Sequence, residues 1–244
     1  MWARLADGRC GRGLPSSLGE IGKRSRKGFS MSLGHRWRFL KGYLSNPHRV
    51  GAFAPSSQAL AAALCEPYRR CEQPARVLEV GAGTGAITRH LGALLSDHDE
   101  LHVCEIGSEF ADILEREVLT RNDFAPAVGA GRVKLFRSAI QDLPKDGSYD
   151  FIISGLPLNA FELEDVRKVF SIFRRSLKPE GVFSYFEYMG LRRTARWLSI
   201  GHRRQRIRSV STYLTSNIRN HQYDRRIVLS NFPPARARYL RFDD

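Results

Sequence analysis

Hydrophobic positions along this chain fall into two periods. Several short runs are apolar with little alternation: Val77-Leu78-Glu79-Val80, Leu101-His102-Val103-Cys104-Glu105, Arg132-Val133-Lys134-Leu135-Phe136, Tyr149-Asp150-Phe151-Ile152-Ile153-Ser154 and 182–188. Such runs suit strands buried on both faces of a parallel sheet. Between them, apolar residues recur at helical spacing. Ile87, Leu91, Leu94 and Leu95 predict a helix over 86–95, and Phe110, Ile113, Leu114 and Val118 another over 110–119. A further helix is expected over 166–177, stopped by Pro179 and Gly181. Strands alternating with helices predict an α/β fold. Stretches 224–230 and 235–242 read as two strands joined by Asn231-Phe232-Pro233-Pro234, and 191–221 as Arg-rich and irregularly helical.

The N-terminal third reads differently. Residues 1–30 are rich in Gly, Ser and Arg, include Lys23-Arg24-Ser25-Arg26-Lys27, and show no period, so they read as a basic, disordered extension. Residues 31–66 carry helices. In 33–45, Leu33, Trp37, Leu40 and Leu44 form an apolar side, with Arg36, Arg38, Lys41 and Tyr43 around it. A basic amphipathic helix with Trp and Tyr can lie in a membrane interface. It can equally pack on the domain's own core with its arginines in water. Asn46-Pro47 ends that helix, and Ser56 or Ser57 caps the next, which carries Leu60, Ala61 and Leu64. Pro67 and Pro74 are expected to bound the loop into the first strand, so the main domain spans 67–244.

Composition narrows the partners. The 244 residues carry 39 Lys and Arg against 25 Asp and Glu, a net charge of +14. That excess favours an anionic partner, nucleic acid or an anionic membrane surface. Cys10, Cys65, Cys71 and Cys104 form no C-x-x-C pair and read as free thiols of a reducing compartment. No run of 18 apolar residues is present, and the first 30 residues lack a signal-peptide core. A cytoplasmic location is expected, peripheral on the membrane. No metal site and no obligate protein partner is implied.

The chemistry concentrates where the first strand ends, at Glu79-Val80-Gly81-Ala82-Gly83-Thr84-Gly85. Glycines let the chain turn sharply and let a ligand approach the backbone. The following helix offers free N–H groups. A P-loop needs Lys-Ser/Thr after the last glycine, where Ala86-Ile87 stand, and a dinucleotide fingerprint needs G-x-G-x-x-G. A carboxylate at the end of a buried strand is costly without a partner. The E-x-G-x-G-x-G pattern resembles motif I of the class I S-adenosylmethionine (AdoMet) methyltransferases. A carboxylate there suits the ligand's sulfonium and ammonium groups. Glu105, 20 positions beyond Gly85, stands where Rossmann-like folds place an acid for ribose hydroxyls. The resemblance implies a seven-stranded, mostly parallel sheet with an antiparallel edge and helices on both faces. It also counts Ile106 among the cofactor-binding residues and places Ser138-Ala139-Ile140 at the adenine edge, with Gln141 and Asp142 as nearby candidates. Ser138-Ala139 departs from the usual Asp-Ala pair.

Two further stretches, Asn46-Pro47-x-x-Val50-Gly51-Ala52-x-Ala54-Pro55-Ser56-Ser57 and Ser154-Gly155-Leu156-Pro157-Leu158, resemble the bacterial phospholipid N-methyltransferases. With the glycine turn and Asn231-Phe232-Pro233-Pro234-Ala235, the resemblance runs from about Phe39 to Phe242. It implies methylation of phosphatidylethanolamine toward phosphatidylcholine, or of ornithine lipid. Ser154 and the backbone of Gly155 and Leu156 are then expected to aim the amine, with Tyr185 or Glu187 nearby. Tyr185 or Glu187, and His48 or Arg49, are candidates to hold the lipid phosphate or the amine. The rival reading is an rRNA adenine-N6 dimethyltransferase, which the glycine turn and Leu156-Pro157 also resemble. Those enzymes stack an aromatic on the flipped base. Leu158 occupies that place here, and Phe161 is the nearest aromatic.

Overall fold

The computed structural model of the chain describes residues 57–143, 147–189 and 202–242. The expectations for the first 56 residues, including Arg36, Trp37, Arg38, Lys41, Tyr43, His48 and Arg49, lie outside them. All described residues belong to one compact unit, 32–244.

The first described helix, α1 (Gln58–Arg69), is capped by Ser57, whose hydroxyl accepts the Leu60 amide. Pro67 lies inside this helix and does not end it. Proline lacks the N–H that would reach the carbonyl of Ala63. The Tyr239 hydroxyl donates to that carbonyl instead, so the helix crosses the proline without an orphaned acceptor. Leu60, Ala61, Leu64, Cys65 and Tyr68 are buried against the sheet. The helix thus continues across the boundary expected between 66 and 67.

The strands are β1 (Arg76–Val80), β2 (Glu100–Cys104), β3 (Val133–Phe136), β4 (Tyr149–Ser154), β5 (Leu177–Tyr188), β6 (Gln222–Val228) and β7 (Ala235–Arg241). They form one seven-stranded sheet in the order β3-β2-β1-β4-β5-β7-β6. Strands β1 to β5 are parallel, and β7 runs antiparallel to both β5 and β6. This is the Rossmann-like methyltransferase architecture the motif implied. Strand β5 begins at Leu177, earlier than expected, because Leu177 pairs with Tyr149 before the Lys178-Pro179-Glu180-Gly181 excursion.

Helices α2 (Ala86–Gly92), α3 (Ser108–Ile113), α4 (Ala125–Gly129), α5 (Leu163–Ser176) and α6 (His202–His221) complete the elements used below. A π-helical turn, Leu114–Val118, extends α3. Both faces of the sheet are covered. One core joins α1, α2 and the α3 extension to the sheet through Leu64, Val77, Leu91, Val103, Leu114 and Val118. The other joins α5 and α6 to the opposite face through Leu78, Ile152, Phe170, Phe173, Phe183 and Leu214. The stretch read as irregularly helical contains one continuous helix, α6, over 202–221. Glu66 ties α1 to the far edge of the sheet. Its carboxyl accepts from Arg69, Arg70 and, on β6, Arg226. The hydrogen bond from Arg69 leads these in holding it down at about 2, although burial opposes them.

Candidate active site

Four of the loops singled out in the sequence leave the carboxyl ends of parallel strands, the end where open α/β sheets bind ligands. The glycine turn leaves β1, Glu105 leaves β2, Ser138-Ala139-Ile140 leaves β3 and Ser154 to Leu158 leaves β4.

The three glycines of the turn all have positive φ, 73° at Gly81, 56° at Gly83 and 82° at Gly85. Their surroundings separate their roles. A Cβ on Gly81 would lie 2.4 Å from Leu156 Cδ2, and one on Gly85 would lie 2.8 Å from Val118 Cγ2. A Cβ on Gly83 would meet nothing within 4 Å. Gly81 and Gly85 therefore permit close packing, and Gly83 alone opens onto free space. Gly155 completes the junction: its amide bonds to the Val80 carbonyl at 2.9 Å, and a Cβ there would lie 2.5 Å from the Gly81 carbonyl oxygen. The exit loops of β1 and β4 thus rest on each other through glycines.

Glu79 is completely buried, and neither carboxyl oxygen makes a hydrogen bond of normal geometry. Burial pushes its pKa up to about 8, and the negative charge of Glu105 adds to that rise. The Thr88 hydroxyl and amide partly offset the burial. The Cys65 thiol on α1 is pushed up in turn, by burial first and by Glu79 second. A buried carboxyl without a full set of donors is costly. A ligand ammonium would supply the missing charge and donors.

Glu105 is buried at the end of β2, and its two oxygens accept from the amides of Gly83, at 2.9 Å, and Gly107, at 2.6 Å. It therefore pins the glycine turn to the β2 loop. Sequence reading missed this clamp. The spacing Glu105-Ile106-Gly107, an acceptor two residues before an amide, was its available signal. Ile106 is 36% exposed beside it, an apolar surface suited to the face of a purine. After β3, Ala139 and Ile140 are buried and Ser138 is half-buried, its carbonyl accepting from the Cys104 thiol at 3.3 Å. The buried Gln141 Oε1 makes no hydrogen bond, and Asp142 is exposed.

At the end of β4, Ser154 is fully buried and its hydroxyl accepts the Leu156 amide at 3.2 Å. Its clearest role is to hold the exit loop. Tyr185 pairs in register with Ser154 across β4 and β5, yet its ring is fully buried, stacked on Phe183 at 5.3 Å. Glu187 is buried and accepts from Arg238 at 2.8 Å. Both β5 side chains border the site from within the core. Leu158 and Phe161 are buried in the core that α5 and α6 cover. Neither presents an exposed ring at this loop.

Residues 77–181 match a family described as a methyltransferase domain. The chain is similar to an ornithine lipid N-methyltransferase of Singulisphaera acidiphila, 29% identical over 155 residues, covering 62% of this chain and 77% of the relative. Its fold resembles that of Burkholderia thailandensis 1,6-didemethyltoxoflavin-N1-methyltransferase, whose structure holds S-adenosylhomocysteine. The TM-score is 0.57 at 15% identity, over 88% of this chain and 92% of that one. It also resembles a SAM-dependent methyltransferase from Methanosarcina mazei, with TM-score 0.56 at 12% identity, over 72% of this chain and 96% of the other. The glycine cradle, the unsatisfied Glu79 carboxyl and the Glu105 clamp fit an AdoMet pocket, and the domain match covers these same elements. The match over 77–181 and the fold together support an S-adenosylmethionine-dependent methyltransferase domain.

Proposed function

We propose that this methyltransferase acts on the amine head group of a membrane lipid, either phosphatidylethanolamine with its methylated intermediates or ornithine lipid. The likeness to the ornithine lipid N-methyltransferase carries the reading. The β4 exit loop supports it, because Leu158 and Phe161 are buried and leave no exposed ring there to stack on a flipped base.

AdoMet, when bound, supplies a methyl group already activated as a sulfonium, so the chain's residues mainly bind and orient. The Glu79 carboxyl offers a counter-charge to the ligand's ammonium group. Glu105 keeps lone pairs for ribose hydroxyls while it anchors Gly83 and Gly107. Ile106 would cover an apolar face of the purine, and Ser138, Ala139 and Ile140 would line its edge. Ser154 fixes the loop so that the backbone of Gly155 and Leu156 can accept a hydrogen bond from the incoming amine and aim its lone pair. Tyr185 supports that loop from β5. Arg36, Trp37, Arg38, Lys41, Tyr43, His48 and Arg49 are assigned to the membrane and the lipid phosphate, with the protein peripheral on the cytoplasmic face.

The test is incubation of the purified chain with methyl-labelled AdoMet and a mixed lipid extract, followed by thin-layer separation. Label in methylated phosphatidylethanolamine or ornithine lipid is expected. Label that appears only in 16S or 23S rRNA, offered in parallel, would remove the lipid reading in favour of the nucleic-acid one.

A further inference from the structure

The turn between β6 and β7 is unusual for its exposed apolar surface. Leu229 is 73% exposed, Phe232 77% and Ile227 51%. Three large apolar side chains left in water within six residues of one turn mark a site of contact. The chain direction places them. Tyr188, at the carboxyl end of β5, pairs with Ala235, so the turn projects from the same end of the sheet as the glycine cradle and the Ser154 loop. The turn is also held firmly. The Asn231 side chain accepts the Ser57 amide at 3.1 Å and donates to the Pro233 carbonyl at 2.7 Å. The Met189 amide donates to the Pro234 carbonyl at 2.7 Å. Asn231 itself is buried while its neighbour Phe232 stands out. Arg225 is exposed on the same strand, and the chain as a whole carries a charge of +14.

We propose that Leu229 and Phe232, with Ile227 behind them, form a tip that enters the interfacial zone of an anionic lipid bilayer and turns the cradle toward it. Apolar side chains flanked by cationic ones bind such interfaces through apolar burial plus attraction to anionic lipid. A protein partner would need a larger apolar area than three side chains supply. The tie through Ser57 sets the start of α1 beside the tip. The proposal gives the lipid-methylation reading a docking surface and rests on that reading for its purpose, but its test needs no methyl acceptor.

Full-length chain is sedimented with sucrose-loaded vesicles of phosphatidylcholine and phosphatidylglycerol, which contain no amino-lipid. Leu229→Ser/Phe232→Ser is expected to lower the partition coefficient at least about tenfold, because two apolar side chains lose their burial in lipid. AdoMet affinity, measured by calorimetry on the same preparation, should stay at the wild-type value, since neither residue belongs to the cradle. Phe232→Trp should bind the vesicles more tightly than wild type, as Trp favours the interface, and it decides the matter should the double variant fail to fold. Unchanged vesicle binding in the double variant overturns the proposal. So does a change in oligomeric state by light scattering with vesicle binding intact, which would make the tip a contact between copies. Wild-type vesicle binding with no labelled lipid in the methylation assay would leave the tip standing and remove the lipid substrate.

Discussion

Glu79 shows how much one residue can reveal. A charge inside an apolar run is visible in the sequence because it breaks the pattern that buries its neighbours. Its energetic state is not visible, since Thr88 and Cys65 reach it from α2 and α1. Its carboxyl is raised from 4.5 to about 8, chiefly by burial. An acid whose folded pKa lies above its unfolded value contributes stability that is full below the unfolded value and lost as pH rises through the folded one. For Glu79 that window runs from 4.5 to about 8. Glu79→Gln removes the titration, so the melting temperature of the variant should gain on wild type steadily as pH is raised through this window. A constant difference across the window would mean the carboxyl is not strained. The same variant should lose most AdoMet binding. In wild type near neutral pH, pairing with a ligand ammonium should expel the Glu79 proton. Calorimetry in two buffers of different ionisation enthalpy would then show close to one proton released per ligand.

At the scale of elements, the strands and the loops at their ends follow from pattern, because a buried parallel strand must be apolar on both faces. Pro67 did not. Its tolerance inside α1 depends on Tyr239, 176 positions after the carbonyl it serves, and no local signal carries that. Tyr239→Phe should cost about 1–3 kcal/mol in urea unfolding at unchanged m-value, since a buried carbonyl then lacks both its helical and its side-chain donor. Wild-type stability would show that water serves the carbonyl instead. The glycines divide similarly. All three in the turn look alike in sequence, but the structure separates packing from access. Gly83→Ala meets no neighbour and pays only for its φ of 56°, roughly 1–2 kcal/mol. It should remain folded and lose AdoMet affinity, because the added methyl occupies the open cradle. Gly155→Ala drives a methyl to 2.5 Å from the Gly81 carbonyl oxygen and should destabilise the fold itself by about 3 kcal/mol. Equal effects of the two on melting and binding would contradict the division.

At the scale of the whole molecule, the sheet gathers the candidate loops after β1, β2, β3 and β4 at one end, and the apolar tip projects from that end too. The net charge of +14 was legible from composition alone, yet it fits RNA as well as lipid. The tip was not legible, because Leu229 reads as an ordinary core residue at the close of a strand and Phe232 as one residue of a connection. Only the pairing of β6 with β7, which leaves both side chains beyond the ladder, shows them exposed. Charge and tip together predict a two-part salt response. Attraction between exposed charges is screened over about 10 Å at 0.1 M salt and about 3 Å at 1 M. Apolar burial is not weakened by salt. Binding to anionic vesicles should therefore fall steeply at first as salt is raised and then level off at a residual value set by Leu229 and Phe232. Leu229→Ser/Phe232→Ser should show the same initial fall without the plateau. An RNA-binding protein that met lipid through charge alone would behave like the double variant from the start. A wild-type curve without a plateau would therefore return the basic surface to nucleic acid.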